Sequence, residues 1–227
     1  MSGETMRVAG VSKVYGGDGL EVPAVRAASF ACRAGTVTAI MGPSGSGKTT
    51  ILSILGLLLK PTSGTVTVMG WEVTSLAERK LPSLRRANIG FIFQSFNLFS
   101  SLTVLENVLV ALQIQKVPKA QADGLARAAL ERVELLQRAD FYPRDLSGGE
   151  KQRVSIARAV AADTPIILAD EPTANLDSKT GLKIIDLLCT LAEERGKTVV
   201  VVSHDLRLKE HVNRVLWMED GVIHEER

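Results

Sequence analysis

The chain has 227 residues, of which 45% are hydrophobic and 23% charged, and its 27 basic and 25 acidic residues leave a net charge of +2. That length suits one large domain or two small ones and can bury roughly 70–75% of the unfolded surface. The charge balance excludes the basic footprint of a nucleic-acid binder. The longest apolar run, ILSILGLLL at 51–59, is interrupted by a serine and a glycine and is far shorter than the ~20 residues that cross a bilayer. MSGETMRVAG lacks the apolar core of a signal peptide. Any membrane role is therefore expected to come through a partner.

In chain order, RVAGVSKVY (7–15), AVRAASF (24–30) and GTVTVMG (64–70) are strand-like, and no long helix is expected before Thr49. They predict an antiparallel layer packed on a core of another kind. Cys32 and Cys189, far apart and in apolar settings, are expected to be buried free thiols. TVTAIM (36–41), IILA (166–169) and TVVVVS (198–203) are short, nearly continuous apolar runs. Such runs predict parallel strands covered on both faces. The stretch from about 95 to 160 reads as an inserted helical subdomain without a central strand. Within it a helix is predicted over 120–136, with Leu125, Ala129, Val133 and Leu136 on one face. A second helix is predicted over 178–195, with Leu182, Ile185, Leu188 and Ala192 inward. Strands alternating with helices give an α/β fold.

Open α/β sheets bind ligands beyond the carboxyl ends of their strands, and each core run here ends in polar chemistry. TVTAIM leads into GPSGSGKTT, which matches G-x-x-x-x-G-K-[ST] over 42–49. Glycines let backbone N–H groups close around phosphate oxygens. Lys48 adds a point charge, Thr49 offers a hydroxyl to Mg²⁺, and the following helix start presents its positive pole. IILA ends in Asp170, placed to hold Mg²⁺ directly or through water, and in Glu171. Neighbours on an extended strand point opposite ways, so Glu171 is either a solvated acid or, turned at the strand end, a general base aimed at a water in line with the γ-phosphate. TVVVVS ends in His204, which its position makes a candidate γ-phosphate contact; His211 and His224 have no such context. Two distant cysteines and three scattered histidines form no zinc spacing.

LSGGEKQR (146–153) is a second phosphate-reading helix start, with Ser147, Gly148 and Gly149 opening the way for backbone amides. With it in place, nearly the whole chain resembles an ATP-binding subunit of an ABC transporter, a P-loop ATPase. GPSGSGKTT (Gly42, Pro43, Ser44, Gly45, Ser46, Gly47, Lys48, Thr49 and Thr50) corresponds to the family's Walker A loop, Gln94 to its Q-loop and LSGGE to its signature. IILADE corresponds to Walker B with the catalytic Glu171, ANLD with Asp177 to the D-loop, and His204 to the switch histidine. Tyr15 matches the aromatic that stacks on adenine. The resemblance also implies that Gln94 joins Thr49 and Asp170 around Mg²⁺. Glu150 stands where glutamine is commoner, and the first two residues of the D-loop also depart from the usual form.

The resemblance explains why one chain carries two phosphate readers. In this family two subunits sit head to tail, and the signature of each closes over ATP on the other. It implies an ATP-dependent homodimer and a catalytic core at about 1–94 and 161–227, with the helical subdomain at about 95–160. It further implies an integral membrane permease and a place on the cytoplasmic face of the inner membrane. NIGFIFQSFNLFSSLTVLENV, ILADEPTANLDSKTG and the extra residues GGDGLEVPA (16–24) are similar to the subfamily of macrolide-exporting and lipoprotein-releasing ATPases, which often work with a periplasmic adaptor. The chain ends soon after His204 and is expected to lack the C-terminal regulatory domain of several importers, although an importer ATPase subunit stays an alternative. Phe96, Leu98, Phe99 and Leu102 belong either to the core of the helical subdomain or to a cleft that receives the permease. Two other classes share parts of this pattern. A soluble ABC ATPase, such as those of iron–sulfur assembly, would not co-purify with a membrane protein. A small P-loop kinase would have no use for LSGGE.

Overall fold

A computed structural model describes residues 3–17 and 20–225. The first layer is an antiparallel sheet of β1 (Glu4–Tyr15), β2 (Val22–Arg33), β4 (Ser63–Val68) and the short β5 (Trp71–Glu72), in the order β2-β1-β4-β5. Between β2 and β4 the chain enters the second sheet as β3 (Val37–Met41) and turns into helix α1 (Lys48–Leu55). Helix α2 (Leu81–Asn88) and strand β6 (Ile89–Ile92) follow, then α3 (Val104–Ile114), α4 (Lys119–Arg132) and α5 (Gly148–Ala161). The chain finishes with β7 (Ile166–Asp170), α6 (Ser178–Arg195), β8 (Thr198–Ser203), β9 (Arg214–Glu219) and β10 (Val222–Glu225). The second sheet runs β10-β9-β3-β8-β7-β6, and every pairing from β9 to β6 is parallel. This is the α/β P-loop architecture the sequence predicts, with its antiparallel layer. Residues 18 and 19 of the GGDGLEVPA stretch lie outside the described residues, as do Met1 and Ser2 of the N-terminal stretch.

Every residue of β3, β7 and β8 is buried, which is why these strands read as unbroken apolar runs. One apolar cluster fills the space between the two sheets around α1, and includes Val8, Ile51, Leu55, Val66 and Val200. A second runs from α3, α4 and α5 to α6 and the other face of the parallel sheet, and includes Val108, Leu130, Ile156, Ile185 and Val201. Helix α3 begins on a reciprocal capping box in which Thr103 Oγ1 accepts from the Glu106 N–H at 3.2 Å and Glu106 Oε2 accepts from the Thr103 N–H at 2.7 Å. The side chain of Asn107, fully buried, pins the preceding loop. It accepts from the Phe99 N–H and donates to the carbonyls of Phe99, Leu102 and Thr103 at 2.8–3.1 Å.

Three expectations change. Helix α4 stops at Arg132, because Glu134 takes a left-handed φ of 56°. Its inward face is also turned: Ala122, Ala126, Ala129, Leu130 and Val133 are buried, whereas Leu125 is 46% exposed and Leu136 37%. An alanine face permits closer helix contact than the leucines would, and Leu135, just beyond the helix, takes the buried place expected of Leu136. Helix α6 matches its predicted span, with Asp177 capping its start, Gly196 its end, and Leu182 half-buried. Cys32 is buried, and burial pushes its thiol up to about 11. Cys189 is instead half-buried, its Sγ donating to the His211 carbonyl oxygen at 3.2 Å.

The revised α4 face has a direct test. Leu130→Ala should lower the unfolding free energy by roughly 2–5 kcal/mol, whereas Leu125→Ala should change it by under ~0.5 kcal/mol. Denaturant titration of both variants measures this, and equal losses would contradict the face described here.

Candidate functional site

The carboxyl ends of β3, β7 and β8 lie side by side, with Ala169 opposite Val201 and Met41 opposite Ser203. A cleft of about 470 Å³ opens above them, lined by Ser44, Gly45, Gly47, Lys48, Thr49, Thr50, Gln94, Glu171, His204 and Ala24. Parallel pairing thus gathers in one place most of what the sequence offers as phosphate and hydrolysis chemistry. Ala24, on β2, is the member that sequence reasoning missed, since alanine carries no chemical signal.

The loop after β3 is shaped by glycines that no other residue could replace without movement. Gly42 has φ 152°, and a Cβ there would sit 1.9 Å from the Met218 carbonyl oxygen. Gly47 has φ 104°, and its Cβ would meet the Ala24 carbonyl oxygen at 2.1 Å. Lys48 Nζ donates to the carbonyl oxygens of Gly42 at 2.9 Å and Pro43 at 2.7 Å, so the ammonium folds back over its own loop. Burial pushes the Lys48 ammonium below its usual value, while Glu171 and Asp170 pull it back up. Ser46 Oγ is buried with no hydrogen-bond partner among the described residues. An unpartnered hydroxyl inside a loop of inward backbone and one cation fits an anion with several acceptor oxygens.

Thr49 Oγ1 donates to Asp170 Oδ1 at 3.3 Å. Burial pushes the Asp170 carboxyl up, while the Thr49 hydrogen bond draws it down. A carboxylate, a hydroxyl and the nearby Gln94 amide are hard oxygen donors of the kind Mg²⁺ takes with phosphate oxygens and water. The residues therefore fit that ion.

The backbone decides which way Glu171 points. The strand ends at Asp170, and Glu171 adopts φ 47°, a left-handed conformation costing about 1–3 kcal/mol for a non-glycine residue. Its N–H still pairs with the Val202 carbonyl oxygen at 2.9 Å. The turn breaks the strand's alternation and carries the side chain into the cleft, 8% exposed. Glu171 Oε1 lies 2.8 Å from His204 Nδ1, and Glu171 Oε2 accepts from Ser203 Oγ at 3.0 Å. Tyr15 lies beside the loop rather than in the cleft wall, 42% exposed, with its hydroxyl 3.5 Å from Thr50 Oγ1.

Ser147, Gly149 and Asp177 are not brought to this cleft. They line a separate one of about 260 Å³ with Glu150, Arg153, Asn175, Leu176 and Thr180. Gly148 opens α5, and a Cβ there would meet nothing within 4 Å. Ser147 caps the helix: its Oγ accepts from the Glu150 N–H at 3.2 Å and donates to Glu150 Oε2 at 2.8 Å, which also accepts from the Ser147 N–H at 2.9 Å. Arg138 Nε stands 3.2 Å from Glu150 Oε1. The backbone hydrogen bond from Ser147 chiefly holds Glu150 below the usual carboxylate range. Glutamate at this position therefore completes a charged capping box, a role a glutamine would fill without charge. Asp177 Oδ1 accepts from the backbone N–H groups of Lys179 at 3.1 Å and Thr180 at 3.0 Å, starting α6.

The family model for the ABC transporter ATP-binding region, described as "ABC transporter", matches residues 25–174. An uncharacterized ABC transporter ATP-binding protein of Thermotoga maritima is 44% identical over 220 residues, covering 97% of this chain and 94% of that protein. The lipoprotein-releasing system ATP-binding protein LolD of Syntrophus aciditrophicus is 41% identical over 218 residues, covering 96% and 98%. Among solved structures, a dimeric post-hydrolysis state of the ATP-binding cassette MJ0796 bound to ADP and Pi superposes with a TM-score of 0.92 at 41% identity, covering 98% of this chain and 99% of that one. The MJ0796 protein of Methanocaldococcus jannaschii is itself 44% identical over 225 residues. A parallel sheet that delivers a phosphate loop, a carboxylate pair and a histidine to one edge, and a match of this extent, together place the chain in the ABC transporter ATP-binding family, as an ATPase.

Proposed function

We propose that the chain powers an ABC exporter of the macrolide-exporting or lipoprotein-releasing kind through ATP-driven head-to-tail dimerisation. The observation that carries this reading is the division of phosphate-reading groups between two clefts. Lys48, Glu171 and His204 line one, and Ser147, Gly149 and Asp177 line the other. A second copy would bring its Ser147 cleft over the first copy's Lys48 cleft, and two composite sites would form. That the MJ0796 cassette has been solved as a dimer supports the arrangement.

In this reading Tyr15 stacks on adenine. The loop from Gly42 to Thr50 cradles the phosphates, and Lys48 exchanges its two carbonyl partners for phosphate oxygens. Thr49, Asp170 and Gln94 would hold Mg²⁺, which supplies charge neutralisation at the β- and γ-phosphates. Glu171 takes a proton from water as the water oxygen bonds to the γ-phosphorus. The bond from that phosphorus to the bridging oxygen breaks, and its electron pair leaves with ADP. His204 contacts the γ-phosphate from the side of Glu171 Oε1. Ser147, Gly148 and Gly149 of the partner present donors from the far side, with Asp177 beside them. Hydrolysis removes the shared anion, and the dimer opens.

No described helix is long and apolar enough to cross a membrane. In this reading coupling runs through a permease subunit on the cytoplasmic side, with or without a periplasmic adaptor. Residues 95–160 would move as the helical subdomain between permease and nucleotide. A groove of about 310 Å³ lined by Phe91, Phe93, Phe99 and Ile114, with Arg86 and Gln115 at its edge, suits a short helix of that permease. The phenyl rings of Phe91 and Phe93 stack at 4.4 Å, and Phe99 is 51% exposed. Of the four residues expected here, Phe99 alone lines the groove. Leu98 packs on the helical core, and Phe96 and Leu102 are half-buried elsewhere.

Glu171→Gln should bind ATP, lose turnover by roughly 10²-fold or more, and elute as a dimer with ATP on a sizing column. A monomer that hydrolyses normally would remove Glu171 from its role. Lys48→Ala should abolish nucleotide binding or turnover in a steady-state assay, and normal turnover would overturn the phosphate-loop assignment. Phe99→Asp should leave nucleotide affinity intact while reducing recovery of the chain in membranes that contain its permease, and unchanged recovery would exclude this groove.

A further inference from the structure

We propose that Ser203 is a positioning residue for ATP hydrolysis, holding the Glu171 carboxylate in a fixed orientation from the neighbouring strand. The inference rests on the role given to Glu171 above and deepens it.

Ser203 ends β8 after five residues that are all buried, and is itself fully buried. Its hydroxyl has one proton and two lone pairs. The N–H of Asp205 donates to Ser203 Oγ at 3.1 Å. The proton is left for Glu171 Oε2, 3.0 Å away. Solvent does not reach this hydroxyl, so water cannot stand in for it. The contact with His204 is of another kind. Its Nδ1 meets Glu171 Oε1 at 2.8 Å, but the side chain is 70% exposed and its role as donor or acceptor depends on tautomer. Ser203 is therefore the permanent clamp and His204 the exchangeable one. Pinning Oε2 leaves Oε1, held only by the exposed and exchangeable His204, as the oxygen that takes a proton from water once that contact is given up.

The backbone makes this clamp necessary. Glu171 follows the last strand residue in a left-handed conformation, and its N–H bond to Val202 fixes its main chain but not its χ angles. Without Ser203, the carboxylate could rotate about those angles. Small misplacements of a catalytic group cost rate steeply, up to ~10²-fold for about 1 Å. The Ser203–Asp205 bond also ties the clamp to the segment that carries His204, so both carboxylate oxygens are addressed from one stretch of chain.

The test is steady-state hydrolysis of Mg²⁺–ATP by the purified full chain. Ser203→Ala should lower kcat roughly 10- to 100-fold while KM and the affinity for a fluorescent ATP analogue stay within about twofold. Ser203→Thr, which keeps the hydroxyl, should recover most of kcat. In a Glu171→Ala background, adding Ser203→Ala should cause no further loss, because the group being positioned is gone. Wild-type kcat in Ser203→Ala, a loss confined to KM, or an equal loss with and without Glu171 would overturn the proposal. Should the alanine variant fail to fold, Ser203→Val, which has the shape of the threonine variant without its hydroxyl, takes its place, and wild-type kcat there overturns the proposal equally. Normal turnover by Glu171→Ala alone would instead remove the reading of Glu171 itself, which keeps the two failures distinct.

Discussion

Parallel pairing of β3, β8 and β7 in fixed register sets everything that follows at the site. Ile40 stands opposite Val202, and Ala169 opposite Val201, so three chain segments far apart in sequence finish at one edge. Parallel strands need covered crossovers, and the helices that cover them bury every side chain of these strands. The first residues beyond the apolar stretches are thus the first that can be polar. Charged groups meet there because the sheet leaves them nowhere else to emerge.

Those charges are organised by short hydrogen bonds rather than by exposure to water. Lys48, Asp170 and Glu171 are each 8% exposed in a chain whose net charge is only +2. Each has protein partners: two carbonyl oxygens for Lys48, the Thr49 hydroxyl for Asp170, Ser203 and His204 for Glu171. Burial of such groups is costly without partners, and partners that an incoming phosphate or metal ion can replace make the site responsive to ligand. The second cleft follows the same rule, with Glu150 held by Ser147 and Arg138.

Much of this was legible in the sequence where pattern and chemistry coincide. GPSGSGKTT carries its glycines and lysine at phosphate-loop spacing, the three core strands are unbroken apolar runs, and α6 pairs an apolar period with a cap at each end. The four-residue strand β6 was missed because Ile89–Ile92 is too short to display a period. The β9–β10 hairpin was missed although its signal is present, since Asp220 and Gly221 both adopt positive φ in a two-residue turn. On α4 the prediction favoured leucine over alanine as the inward residue, and close helix packing reversed that preference. The Ser203–Glu171 bond was invisible for a different reason: Ser203 read as the polar end of a strand, and its partner follows the neighbouring strand, 32 residues away in sequence.

One side chain sets how freely the segment after Gln94 can be displaced. Phe96 and Asn97 both take left-handed φ, 62° and 48°, and their carbonyl oxygens accept from the two terminal nitrogens of Arg158 on α5 at 2.7 and 2.5 Å. Burial pushes the Arg158 guanidinium below its usual value, so releasing either carbonyl would strand a desolvated cation. Loop and helix are therefore tied at two points, so any displacement of α5 that keeps both bonds must carry the residues beside Gln94 with it.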